Sequence, residues 1–187
     1  TTRRQRQMCI RDRYHRVDFS NDTGTAGVRG NMDKSRSRHA AVSSMNYAYA
    51  AGGGTNTTIG RIDYADDTAT SLEKGNLISS PYYSSPAGVD NKDYGYFCGG
   101  LPHSIVQRID YTNDTTTASP KGPLSANRRY ISAAGNQSYG YVSGGTPPDM
   151  SSVDRIDYSN DSVTASTKGN LPYTVYGHGM TGNADYG

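Results

Sequence analysis

The chain has 187 residues, a formal charge of +2, and 16 tyrosines against two phenylalanines and no tryptophan. Its mean hydropathy of −0.76 would suit a disordered chain, but the periodic recurrence of tyrosine and β-branched residues excludes that class. No apolar run reaches membrane-spanning length and no signal-peptide pattern is present.

The first segment in chain order is Arg3 to Arg13, RRQRQMCIRDR. It resembles the translation of a transposase-type sequencing adapter. On that reading residues 1–13 are a non-native tail, and the protein proper runs over 14–187 as a piece of an assembled environmental sequence. The run carries five arginines and one aspartate, so setting it aside turns the charge from +2 to −2. No basic face then argues for nucleic acid. Cys98 becomes the sole thiol, and stability cannot rest on an internal disulfide.

From Tyr14 onward the chain repeats. Arg16-Val17-Asp18-Phe19 returns as Arg61-Ile62-Asp63-Tyr64, Arg108-Ile109-Asp110-Tyr111 and Arg155-Ile156-Asp157-Tyr158. Gly30, Gly75, Gly122 and Gly169 keep the same phase, as does Tyr-x-Tyr-x-x-Gly-Gly at Tyr47, Tyr94 and Tyr139. Three anchors in one phase predict tandem units of about 47 residues.

Each unit divides into short strands. The alternation over Val153 to Tyr158 predicts the first. A polar cluster such as Ser159-Asn160-Asp161-Ser162 turns the chain. A Thr-rich stretch such as Thr115 to Ser119 predicts the second strand, with a Lys/Arg-Gly turn closing the hairpin. Ile131 to Ala134 and Tyr139 to Ser143 predict the third and fourth, joined by Asn136-Gln137-Ser138. Helices are excluded because Gly, Pro, Asn and Asp interrupt every unit. A β-solenoid is disfavoured because its coils are usually shorter. Arg and Asp two apart share one strand face, which predicts a ladder in which Arg108 meets Asp63 or Asp157 of an adjacent unit.

Gly144-Gly145, Arg155-Ile156-Asp157-Tyr158, Thr164, Leu171-Pro172 and Tyr186-Gly187 follow the order of a kelch repeat, as do Gly99-Gly100, Tyr111, Thr115, Leu124, Arg128 and Tyr139 to Gly145. Over Tyr14 to Gly187 the chain resembles the kelch family. More loosely, it is similar to kelch-like repeats in structural or tail-associated proteins of marine viruses. The kelch tryptophan is replaced by Thr, Ala or Ser. The kelch arginine has counterparts at Arg36 or Arg38 and at Arg128 or Arg129, with Tyr82 or Tyr83 and Val175 or Tyr176 elsewhere. The resemblance implies an all-β fold: a partial β-propeller of about four consecutive four-stranded antiparallel blades, truncated at both ends, packed around tyrosine.

Candidate chemistry is sparse. His15, His39, His103 and His178 have no metal-ligand spacing. Cys98 occupies a slot filled by Ala51 and Ser143 in other units, which reads as a packed small residue. A kelch copper oxidase needs a Tyr-Cys crosslink with Tyr and His ligands, and no such set assembles. The Asp-rich turns lack the ligand order of a calcium loop. No catalytic, metal or cofactor residue is therefore expected. The variable segments after the Lys/Arg-Gly step carry Tyr82, Tyr83, Arg128, Arg129, Tyr130, Tyr173 and Tyr176, types common at binding hot spots. The expected function is non-enzymatic recognition of a protein or glycan, without nucleic acid or membrane, in a viral tail fibre or another surface protein. The alternatives are a propeller enzyme whose active site lies in further blades and an intracellular kelch adaptor.

Overall fold

The computed structural model describes residues 12–78, 85–100 and 103–187. The described chain is all-β, with a single 3₁₀ turn at Tyr158–Asn160. It forms four antiparallel sheets. The first is two-stranded, from β1 (Arg13–Arg16) and β2 (Gly27–Asn31). Three four-stranded meanders follow: β3 (Ala40–Ser43), β4 (Tyr47–Ala51), β5 (Thr58–Asp63) and β6 (Leu72–Asn76); β7 (Ala87–Asp90), β8 (Tyr94–Cys98), β9 (Val106–Asp110) and β10 (Ser119–Lys121); β11 (Ser132–Gly135), β12 (Tyr139–Ser143), β13 (Ser152–Asp157) and β14 (Ser166–Asn170). Register repeats with them: Tyr49 opposes Arg61, Tyr96 opposes Arg108 and Tyr141 opposes Arg155.

One strand sits later than its sequence suggests. The Thr-rich stretch from Thr115 is mostly turn, and the strand falls on Ser119–Lys121. Hydroxyls there serve the turn itself: Thr115 Oγ1 donates to Asn113 Oδ1 at 3.3 Å and Thr116 Oγ1 to the Asn113 carbonyl at 3.1 Å. The Lys-Gly pairs do not turn; Lys74-Gly75 and Lys168-Gly169 lie within β6 and β14. Their glycines answer to the neighbouring sheet. Gly75 N–H donates to the Asp114 carbonyl and Gly122 N–H to the Asp161 carbonyl, both at 2.8 Å. A Cβ at either position would collide with the backbone oxygen of Thr116 or Val163.

The sheets stack in chain order. Tyr49, Ile59, Val42 and Leu77 pack against Phe97, Ile109 and Ala118. Val89, Tyr96, Cys98 and Leu124 pack against Val142, Ile156 and Ala165. Tyrosine supplies the bulk at each junction. Tyr49 stacks on Tyr111 with ring centroids 5.1 Å apart, and Tyr96 on Tyr158 at 4.8 Å. The leading strands also pack on one another, β3 on β7 and β7 on β11.

A polar clasp accompanies each stack. Arg61 Nη1 meets Asp114 Oδ2 at 2.8 Å, and Arg108 Nη1 meets Asp161 Oδ2 at 2.7 Å. Lys74 and Lys121 approach the same carboxylates at 3.8 and 3.1 Å. The Tyr49 and Tyr96 hydroxyls donate to them at 3.1 and 2.9 Å. Arg16 and Arg29 hold Asp67 in the same way at 2.8 and 3.4 Å. A ladder therefore exists, but its acceptors are the turn aspartates, which corrects the expected pairing of Arg108 with Asp63 or Asp157. The strand aspartates are committed locally: Asp63, Asp110 and Asp157 accept the backbone N–H two residues on at 2.8 to 3.0 Å.

Candidate functional site

Four residues at matching places in the repeat, Arg38, Ser85, Tyr130 and Gly177, all have positive φ, at 59°, 43°, 53° and 66°. Arg38, Ser85 and Tyr130 each stand two residues before the leading strand of a four-stranded sheet. For the three non-glycine residues this conformation is costly, and such strain collects at functional sites. The Arg38 guanidinium lies 5.7 Å from the centroid of the Tyr130 ring, two units further along the chain.

Two more side chains join them. Arg129 places its guanidinium 5.2 Å from the Tyr130 centroid, and Tyr176 brings its ring within 6.5 Å. Backbone bonds fix their loops. Arg129 and Thr146 exchange N–H···O bonds at 3.0 and 3.1 Å, and Gly177 N–H donates to the Tyr130 carbonyl at 2.8 Å. Arg38 and Tyr176 are exposed, while Arg129 and Tyr130 are half-buried. Among the described residues no ion pair joins Arg129 to a carboxylate. Two guanidinium forks beside two phenol rings suit a carboxylate, sulfate or phosphate group carried on a sugar or an aromatic side chain.

The structure separates the residues singled out in the sequence. Arg129, Tyr130 and Tyr176 come together; Tyr173 is 74 % exposed and makes no ring contact with them. Tyr82 and Tyr83 lie outside the described residues. Arg128 faces inward with 0 % exposure. Its Nη1 donates to the Gly144 and Ser152 carbonyls and its Nη2 to Ser125 Oγ and Asp154 Oδ2, all at 3.0 to 3.2 Å. Arg36 braces the earlier sheet likewise, bonding the Gly52 and Thr58 carbonyls and Asp33. Sequence reading missed Arg38 as a binding residue, although the repeat offset that aligns it with Tyr130 was available.

Other reactive groups are sealed. Cys98 is fully buried, and burial pushes its thiol up to about 12. Ser143 Oγ lies 2.8 Å from His178 Nε2, but Ser143 is 1 % exposed and His178 Nδ1 has no partner to orient the ring. The pair tethers the C-terminal segment to β12. Among the described residues no group of three His, Cys, Asp or Glu side chains could hold a metal ion. A groove of about 480 Å³ runs between the leading strands, past Ser43, Gly88, Asp90, Ala133, Gly135 and Gly182. Asp90 accepts the Ser43 N–H at 2.7 Å, and burial raises its carboxyl above the usual range.

These features define an all-β tandem-repeat protein whose sheets are joined by one recurring aromatic and ionic junction. Comparison with protein-family models gives no match. No curated protein matches the chain either.

Proposed function

We propose that the chain is a non-enzymatic recognition domain, an arc of kelch-like propeller blades whose loops bind an anionic group on a protein or glycan. The observation that carries this reading is the meeting of Arg38 with Tyr130 from two units away, with Arg129 and Tyr176 beside them. Rigid sheets presenting strained, converging loops are the usual scaffold for binding. Three meanders in one register, with leading strands packed on each other, support the propeller arc. The looser likeness to viral tail-associated repeats makes a virion fibre or another exposed surface a fitting setting.

Calorimetric titration with sulfated, carboxylated and neutral oligosaccharides and with acidic and neutral peptides tests the reading. Acidic ligands should bind and neutral counterparts should not. Arg38→Ala or Arg129→Ala should weaken binding by about tenfold or more. Equal binding of neutral ligands, or unchanged affinity in both variants, would overturn it.

A further inference from the structure

Among the carboxylates that reach from one sheet to another, Asp90 stands apart. Asp67, Asp114 and Asp161 each meet an arginine of a neighbouring sheet. Asp90, the last residue of β7, reaches to β3 and meets the Ser43 N–H, which donates to its Oδ2 at 2.7 Å. Among the described residues no arginine or lysine pairs with it. The side chain is half-buried, and burial raises its carboxyl, so a cation placed there relieves a cost already present. Among the described residues, the titratable side chains that feel its charge are phenols. Tyr64, Tyr111 and Tyr158 are each raised first by burial and further by Asp90. Because β7 lies in the middle of the three four-stranded sheets, with β3 and β11 packed against it, an uncovered end of the stack does not explain the missing cation.

The groove beside Asp90 suits a narrow ligand. It measures about 480 Å³ and is lined by Gly88, Ala133, Ala134 and Gly135 together with Asp90 and Ser43. Such small residues leave room for a peptide backbone. Among the described residues no set of three His, Cys, Asp or Glu side chains could hold a metal ion here, so the carboxylate calls for an organic cation. Ser43 occupies one carboxylate oxygen and leaves the other free. A single free oxygen suits the compact ammonium of lysine better than the two-pronged guanidinium of arginine.

The strands that wall the groove tie it to the arginine cluster. Arg38, Ser85 and Tyr130 precede β3, β7 and β11, and Ser43, Asp90 and Gly135 end them. The two sets are at most about 16 Å apart along the strand. One end of the leading strands therefore carries the guanidinium groups of Arg38 and Arg129, and the other carries a carboxylate without a cation.

We propose that the ligand of the arginine cluster is an extended peptide, with an anionic side chain for Arg38 and Arg129 and, about five residues away, a lysine for Asp90. This deepens the reading of the cluster as an anion site and rests on it. Charge complementarity selects the occupant. A peptide carries opposite charges at that spacing along one thin chain, whereas a sulfated or carboxylated glycan repeats a single sign.

Fluorescence anisotropy on the 187-residue chain tests this with labelled glycine-serine peptides. Each carries one sulfotyrosine and, about five residues to one side or the other, one lysine. Comparison peptides carry acetyl-lysine for lysine, or tyrosine for sulfotyrosine. In one of the two chain directions, the lysine peptide should bind about tenfold more tightly than its acetyl-lysine counterpart. Asp90→Asn keeps an acceptor for the Ser43 N–H. It should abolish that preference and leave the affinity for the acetyl-lysine peptide unchanged. Arg129→Ala should weaken both sulfated peptides. The preference is read in the parent chain without any substitution, so it decides even where a variant does not fold. Equal affinity for lysine and acetyl-lysine peptides, or a preference that survives Asp90→Asn, overturns the inference and leaves the anion site standing. Lysine-dependent binding that ignores loss of the sulfate overturns the two-ended ligand. Absence of binding by every sulfated peptide and sulfated oligosaccharide overturns the anion site and the inference together. Amine-bearing sulfated oligosaccharides that bind more tightly than any peptide would put a glycan in the groove, which also overturns it.

Discussion

Two aspartates four residues apart in each unit do different work. Asp110 is held below the usual carboxylate range, first by the Thr112 hydroxyl, and it caps its own turn. Asp114 lies across the junction and gathers Arg61, Lys74 and Tyr49. Removing Asp114 strands a largely buried arginine, so Asp114→Ala should cost about 3 kcal/mol of unfolding free energy. Asp110→Ala loses only a turn cap and should cost about 1 kcal/mol. Urea denaturation of both variants checks the order; equal costs would contradict it. The braces make a second comparison. Arg128 pairs with Asp154 in the last sheet, whereas the middle sheet places Gln107 at the position of Asp154, accepting the Ile78 N–H at 2.6 Å. Asp154→Ala leaves Arg128 buried without its carboxylate and should cost about 3–5 kcal/mol. Arg128→Met with Asp154→Gln should recover part of that loss, because neither charge is then stranded.

At the scale of strands and junctions, the tyrosines report on packing. Tyr49, Tyr96, Tyr111 and Tyr158 have phenols raised above their ordinary value, in every case chiefly by burial. Each binds its proton more tightly folded than unfolded. Their stabilising contribution is complete below the unfolded value of about 10 and declines as pH rises through it. Alkaline titration followed at the tyrosinate absorbance should show an early phase from exposed rings such as Tyr173. A later, cooperative phase should coincide with loss of the β-sheet dichroism signal. A single smooth phase centred near the ordinary value would show that the stacks do not hold. Cys98, between the same sheets, should resist thiol reagents until unfolding, for its buried thiol supplies almost no thiolate at neutral pH.

For the molecule as a whole, the repeat was legible because its anchors are the residues that build the junctions or cap the turns beside them. Arg61, Asp63, Gly75 and Tyr49 recur for reasons visible in sequence, and strands β11, β12 and β13 fall within a residue or two of their expected places. The strand around Ser119–Lys121 was displaced, because turn hydroxyls captured the threonines and close sheet approach claimed the glycine. The ladder was legible in kind but not in partner, since which aspartate crosses a junction depends on the inter-sheet offset. The candidate cluster was half legible: composition pointed to Arg129, Tyr130 and Tyr176, while Arg38 needed its contact with Tyr130 from two units away. Arg128 shares that composition but points into the sheet.

The uniformity of the Gly75 and Gly122 contacts, each bonding the next sheet's backbone at 2.8 Å, bears on how such a chain can change over generations. Unequal crossover between two units deletes or adds one unit while keeping the offsets on either side. The new neighbours then meet with surfaces that already fit, as expected where stability is a sum of nearest-neighbour terms. Array length is consequently free to drift by whole units, while slippage by a few residues inside one unit is selected against at once.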